Sequence, residues 1–168
     1  MMTRSFKALC LVAALLAGLA GCGFQLRGEA RLPAAMAQTW LAVPDANSEF
    51  ARELALRLEG DGVGLVEGLQ PEAAVLRIHS ERLRRRPLTI SGQARVREYL
   101  LVFELEFELL DSEQNVLIER ETLRLTREYS FDEQAILAAS REEEFLRDDL
   151  RRSMAAQVIR RLEAAPPQ

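Results

Sequence analysis

The residue with the clearest covalent chemistry in this chain is Cys22, the last of Leu19-Ala20-Gly21-Cys22. A leucine, two small residues and a cysteine, placed after a short apolar run, form the motif at which bacteria acylate a secreted protein. The thiol takes a diacylglyceryl group. The small residues let a peptidase reach the backbone, and the freed α-amine is then acylated. Each buried methylene contributes about 0.8 kcal/mol, so two or three chains hold a protein on a membrane almost permanently where one does not. The competing reading is an ordinary signal that happens to end in cysteine.

The second group is Arg82-Leu83-Arg84-Arg85-Arg86, followed by Pro87 and Gly92. Four arginines in five positions offer forked donors suited to phosphate or carboxylate. As a connection between strands they read equally as a solvated charged turn, and the Pro and Gly predict a hairpin-like connection or extended loop tip here. His79 is the only histidine. With no Cys, His or carboxylate cluster at ligand spacing around it, it reads as a solvated strand residue. The sequence has no nucleophile elbow, no Gly-rich phosphate loop and no metal-ligand spacing. Its carboxylates alternate with apolar residues or lie on a helix surface. The expectation is a protein that is not an enzyme and needs no cofactor or metal.

The segments around these residues set their context. Arg4 and Lys7 precede a 13-residue apolar run, Ala8 to Ala20, which is too short to cross a bilayer core of about 20 helical residues. Residues 1–21 therefore read as a cleaved signal, 22–38 as a lipid-anchored lead-in, 39–163 as one folded domain and 164–168 as a free tail. Gly23 follows the cysteine, where an Asp would favour inner-membrane retention, so the outer membrane is the expected destination. Cys10 leaves with the signal and Cys22 is acylated, so no thiol remains for a disulfide and the core alone must stabilise the domain. Cleavage removes Arg4 and Lys7 from 22 basic residues and nothing from 26 acidic ones, leaving net charge −6, which argues against general nucleic-acid binding. Lys7 is the only lysine. The all-arginine mature chain fits either bidentate anion recognition or a GC-rich genome.

Within the domain, Thr39 to Val43 reads as a strand. An N-cap follows among Asp45, Asn47 and Ser48, and then an amphipathic helix with Phe50, Ala51, Leu54, Ala55 and Leu58 on one side, stopped at Gly60-Asp61-Gly62. Val63 to Val66 and Ala73 to Leu83 are further strands. In the latter, Ala74, Leu76 and Ile78 oppose Arg77, His79 and Glu81. From Tyr99 to Leu109 every second residue is apolar and Glu104, Glu106 and Glu108 alternate with them, the pattern of a strand with one wet face. After a turn at 111–115, Val116 to Tyr129 pairs back on it. A bulge is expected near Leu117 to Thr122, where the phase slips, and Arg120, Arg124 and Arg127 are set to pair with the glutamates. Ser130 to Glu133 fits a capping box, and Ser140 to Glu143 repeats it, leaving open a break in the last helix. That helix carries Leu146, Leu150, Met154, Val158 and Leu162 on one stripe, widened by Phe145, Ala155 and Ile159. The order predicts an α+β fold: a two-layer α/β sandwich with two helices on one face of a four- to five-stranded mixed sheet.

Cys22-Gly23-Phe24-Gln25-Leu26-Arg27-Gly28 resembles the start of mature LPS-assembly lipoproteins of the LptE family. Gly92-Gln93, Glu98-Tyr99, Phe131 to Leu137 and Gln157 to Leu162 agree in order, so the resemblance spans the mature chain. It implies an outer-membrane lipoprotein that sits inside the lumen of a β-barrel partner, LptD, helps it assemble, and contributes to placing lipopolysaccharide in the outer leaflet, binding it directly. It also implies a basic contact to lipid phosphates near Gly92-Gln93, for which Arg84, Arg85 and Arg86 are the candidates. A second contact early in the last helix falls to Arg141. The chain departs from the family pattern at Ile90-Ser91, which are not basic, and at Ala139, two residues before Arg141. The alternative is an envelope lipoprotein of similar fold with a structural or assembly role and no lipid ligand.

Overall fold

The computed structural model describes residues 32–90 and 96–165. The signal, Cys22 and Gly92-Gln93 lie outside the described residues. The strands are β1 (Gln38–Ala42), β2 (Gly64–Leu65), β3 (Ala74–Ile90), β4 (Val96–Leu110) and β5 (Val116–Ser130), and the helices are α1 (Glu49–Gly60) and α2 (Ile136–Glu163). The sheet order is β2-β1-β3-β4-β5. β1 pairs in parallel with β2 and β3, and β3-β4-β5 is an antiparallel meander. Both helices cover one face of this five-stranded mixed sheet, as the element order predicts.

Local chemistry sets each boundary. Ser48 caps α1, its Oγ accepting from the Ala51 N–H at 3.0 Å. At the other end Gly62 has φ +87°, with Val63 N–H donating to the Leu58 carbonyl and Gly62 N–H to that of Glu59. These are the two bonds of a Schellman stop, which need the left-handed residue that glycine adopts without strain. The folded body begins earlier than the expected lead-in boundary, since Met36 is fully buried and a single 3-10 turn, Ala34–Met36, precedes β1.

The core lies between sheet and helices. Phe50 of α1 meets Phe103 of β4 edge-on, ring centroids 5.4 Å apart, and Leu150, Met154, Val158 and Leu162 of α2 are fully buried. Two expectations for the last helix, the cap at Ser130 and the burial of Phe145, are corrected, and the open question of a break at Ser140 is settled. Ser130 is the end of β5, and Asp132 instead caps a 3-10 turn by accepting from Gln134 N–H at 2.9 Å. The helix then runs unbroken through Ser140. Phe145 does not widen the buried stripe: it is 63% exposed, and Leu137 is 78% exposed.

The length mismatch matters most. At ~3.3 Å per residue β3 extends about 55 Å, whereas α1 covers about 18 Å at 1.5 Å per residue. β1 accompanies β3 only as far as Arg77. The far end of the β3–β4–β5 meander therefore projects beyond β1 and α1, with only the first turns of α2 beside it. Chain entry is at the opposite end, where Leu32 and Met36 lie beside Asp61 and Val63 at the C-terminal end of α1.

Candidate functional site

The arginine run is strand, not loop. β3 continues to Ile90, with Arg84 opposite Val102, Arg85 opposite Leu101 and Arg86 opposite Leu100. Alternation then forces neighbouring arginines onto opposite faces. Which face each takes is decided six residues earlier. Ile78 pairs with Phe107 and Ser80 with Glu106, so His79 is an extra residue, a β-bulge. The bulge reverses the phase of everything beyond it. Glu81, expected on the wet face, instead turns toward the helices and accepts a 2.8 Å hydrogen bond from Ser48 Oγ. Arg85 turns with it, while Arg84 and Arg86 take the uncovered face.

That open face carries a ladder of charge. Near the chain-entry end, Arg77 Nη1 donates to Glu108 at 2.6 Å. His79 Nε2 lies 3.3 Å from the same carboxylate but too poorly aligned for a hydrogen bond. In the middle, Arg120 binds Glu106 through two bonds of 2.8 and 2.7 Å, and Arg124 lies 3.7 Å from Glu104. The bulge expected in β5 is there, between Ile118 and Glu121, and it sets Arg120 against Glu106. Arg127 departs from the expectation: it faces the helices and pairs with Asp149 at 2.7 Å.

Toward the tip the ladder changes character. The alternating glutamates of β4 give way to Val102 and Leu100, so the strand neighbours of Arg84 and Arg86 are apolar. Neither arginine makes an ion pair or hydrogen bond with any described residue, and both are exposed. Val102 is buried and Leu100 half-buried, so the surface there is two free guanidiniums with Leu100 beside them, able to meet a phosphate and the start of a hydrocarbon chain together.

Arg85 behaves differently. Its Nη1 donates to Glu143 Oε2 at 2.8 Å, and its guanidinium lies 4.5 Å from the Tyr99 ring centroid. Glu143 also accepts from Tyr129 Oη at 2.5 Å and from Arg147 through bonds of 2.9 and 2.6 Å. Tyr99 stacks on Tyr129 at 5.6 Å and meets Phe131 edge-on at 5.4 Å. Burial pushes Glu143 up, but hydrogen bonds from Tyr129, Arg147 and Arg85 outweigh it and hold the carboxyl below the ordinary range. Burial, with the Glu143 bond added, pushes Tyr129 up to about 12, so its hydroxyl remains a donor at neutral pH. Arg141 is exposed on α2 two residues from Glu143. The structure thus divides the four candidate arginines among the open sheet face, the sheet–helix interface and the helix surface.

A family profile described as "LptE: Lipopolysaccharide-assembly" matches residues 33–162. The chain belongs to the LptE family. It is 26% identical over 144 residues to an LPS-assembly lipoprotein LptE of Pectobacterium atrosepticum, covering 85% of this chain and 77% of that one. An LptE of Yersinia enterocolitica is also 26% identical, over 85% of this chain and 69% of the relative. Among solved structures, lipoprotein B of Nitrosomonas europaea superposes with a TM-score of 0.70 at 27% identity, covering 84% of this chain and 91% of that one. The rare lipoprotein B of Shewanella oneidensis gives 0.66 at 26% identity, covering 76% and 94%.

In this LptE chain, sequence reasoning missed Glu143, Tyr129 and the apolar pair Leu100 and Val102. The last two were legible: between Glu104 and Glu98 the β4 positions on the open face are Val102 and Leu100, so the positions opposite Arg84 and Arg86 carry no acid. Glu143 sits in Arg141-Glu142-Glu143-Glu144 with no local mark to single it out. Among the described residues no three His, Cys, Asp or Glu side chains are grouped to hold a metal, and no helix is long and apolar enough to cross a membrane.

Proposed function

We propose that this chain is an outer-membrane lipoprotein, anchored through acylated Cys22, that forms a complex with an LptD-type β-barrel and serves as its plug and assembly factor. In this reading it binds lipopolysaccharide directly during transfer to the outer leaflet. The observation that carries the lipid part is the unpaired Arg84 and Arg86 beside Leu100 and Val102 at the sheet tip. Arg85 is not a free ligand in this reading, because Glu143 already holds it. Arg141, exposed on the adjoining helix, supplies a further cation at the same end.

The charged open face supports the barrel part. A water-lined barrel interior is polar, and a face of alternating Arg and Glu fits such a wall where an apolar face would not. Leu137 and Phe145 on α2 are large apolar side chains left exposed on the helix surface, available to a barrel wall. Nine residues, ten Cα-to-Cα steps, join Cys22 to Leu32, a tether of at most about 35 Å. The base of the domain therefore stays near the anchored leaflet, and the tip lies about 55 Å from that base along β3.

The experiment is purification of the acylated chain from detergent-solubilised envelopes. The proposal expects a β-barrel protein to co-purify at equal stoichiometry and cell-surface lipopolysaccharide to fall on depletion. A solitary monomer, with surface lipopolysaccharide unchanged on depletion, contradicts it. Barrel capture without any lipopolysaccharide binding leaves the purely structural role.

A further inference from the structure

We propose that Glu143 is a positioning residue: a single carboxylate that latches the projecting sheet tip onto α2 and so fixes the stance of Arg84 and Arg86 on the opposite face. The inference rests on the reading of those two arginines as the lipopolysaccharide contact.

Three observations lead to it. The tip lacks the support the rest of the sheet has, since β1 leaves β3 at Arg77 and the cap of α1 reaches only to Glu81. The first turns of α2 do not replace that support with an apolar seam. Ile136 and Leu137 are 56% and 78% exposed, and Ala139 is the buried residue there. What joins tip to helix is therefore polar and aromatic: Arg127 of β5 pairs with Asp149 of α2, and the contacts further toward the tip converge on Glu143. Arg85 of β3, Tyr129 of β5 and Arg147 of α2 all donate to it. Tyr99 of β4, stacked on Tyr129 and lying under the Arg85 guanidinium, brings the remaining strand into the same contact.

The geometry links latch to ligand face through the backbone. Arg85 sits between Arg84 and Arg86, so holding its side chain toward α2 turns both neighbours outward. Without Glu143, Arg85 has lost its carboxylate partner, Tyr129 retains a buried hydroxyl without an acceptor, and the strand ends beyond the Arg127–Asp149 pair are freer to twist away from α2. Arginines on a moving strand bind more weakly, because ordering them must then be offset by the ligand.

The test uses the full mature chain in detergent micelles, with purified lipopolysaccharide as the probe. Four proteins are compared: wild type, Glu143→Ala, Arg84→Ala/Arg86→Ala, and the triple variant combining both. Glu143→Gln, which keeps an acceptor and drops the charge, serves as the conservative variant. Glu143→Ala is expected to speed hydrogen exchange about tenfold in β3 beyond Leu83 and in the facing part of β4, leaving β1 and α1 unchanged. Its affinity for lipopolysaccharide is expected to fall about fivefold to tenfold at a temperature well below unfolding, with partial recovery in Glu143→Gln. In the triple variant the Glu143 effect on binding disappears, because it acts through the two arginines. Unchanged tip exchange overturns the proposal. So does faster exchange with unchanged affinity, which makes the latch a matter of stability alone, and so does an equal Glu143→Ala loss in the triple variant. Full binding by Arg84→Ala/Arg86→Ala overturns the underlying reading of the arginines instead.

Discussion

Glu81, on β3 beneath the helices, and Glu143, on α2, are pushed in opposite directions. Burial raises the Glu81 carboxyl, with the Ser48 hydrogen bond and Arg151 only partly opposing it. At neutral pH a carboxylate with a raised native pKa counts against folding. Glu81→Gln is therefore expected to raise Tm at pH 7, and the advantage should vanish near pH 4 as Glu81 takes up its proton. Glu143 is lowered instead. Its stabilisation is complete above the ordinary glutamate value of 4.5 and is lost as pH falls through the lower native value. Glu143→Gln should lower Tm at pH 7, with the deficit shrinking below about pH 4. Thermal unfolding at the two pH values checks both signs. The same logic separates three neighbouring arginines. Arg85→Ala breaks a charged hydrogen-bond network and should cost about 1–2 kcal/mol after solvent screening. Arg84→Ala and Arg86→Ala, exposed and unpaired, should change stability by less than about 0.5 kcal/mol. Denaturant unfolding of the three variants gives the comparison.

Among the elements, β3 carries the most consequence for the least visible signal. The strict alternation of β4 made its wet and buried faces readable from Tyr99 to Leu109, and the helical stripe from Leu146 to Leu162 was equally clear. The mixed sheet with two helices followed from element order. The arginine run was not readable as strand, because four charges and a proline are poor strand formers when met alone; the ladder to Leu100, Leu101 and Val102 overrides that preference. Nor was the face of each arginine readable, since no residue type announces the bulge at His79. The β5 bulge was readable because there the apolar phase itself slips at Leu117 and Ile118. Phe145 misled for a different reason: periodicity marks a face as apolar but not whether the partner lies in the same chain. Deleting His79 should remove the extra residue and leave Ile78 opposite Phe107 and Ser80 opposite Glu106 in an unbroken ladder, with Glu81 and Arg85 still toward the helices and Arg84 and Arg86 still on the open face. That variant is expected to lose less than about 2 kcal/mol, well short of Phe103→Ala at about 3–5 kcal/mol. Circular dichroism melts of the two variants decide it. A His79 deletion as damaging as Phe103→Ala would remove the phase argument.

On the scale of the whole molecule, the chain is polarised end to end. It enters at Leu32 beside the end of α1, closes its core in the middle, and sends three strands and the start of α2 to the far end. At that end the paired charges of the open face give way to two free guanidiniums over two apolar residues, backed by the Glu143 contact. Tethered through Cys22 as proposed, an LptE chain built this way would present its candidate lipid contact far from its anchor. The central claim is that Arg84 and Arg86 make that contact, and it is tested by titrating purified lipopolysaccharide against the folded Arg84→Glu/Arg86→Glu variant and wild type at low salt. Affinity in the variant should fall at least about tenfold, with Tm within a few degrees of wild type. Equal affinity in the two proteins would contradict the account.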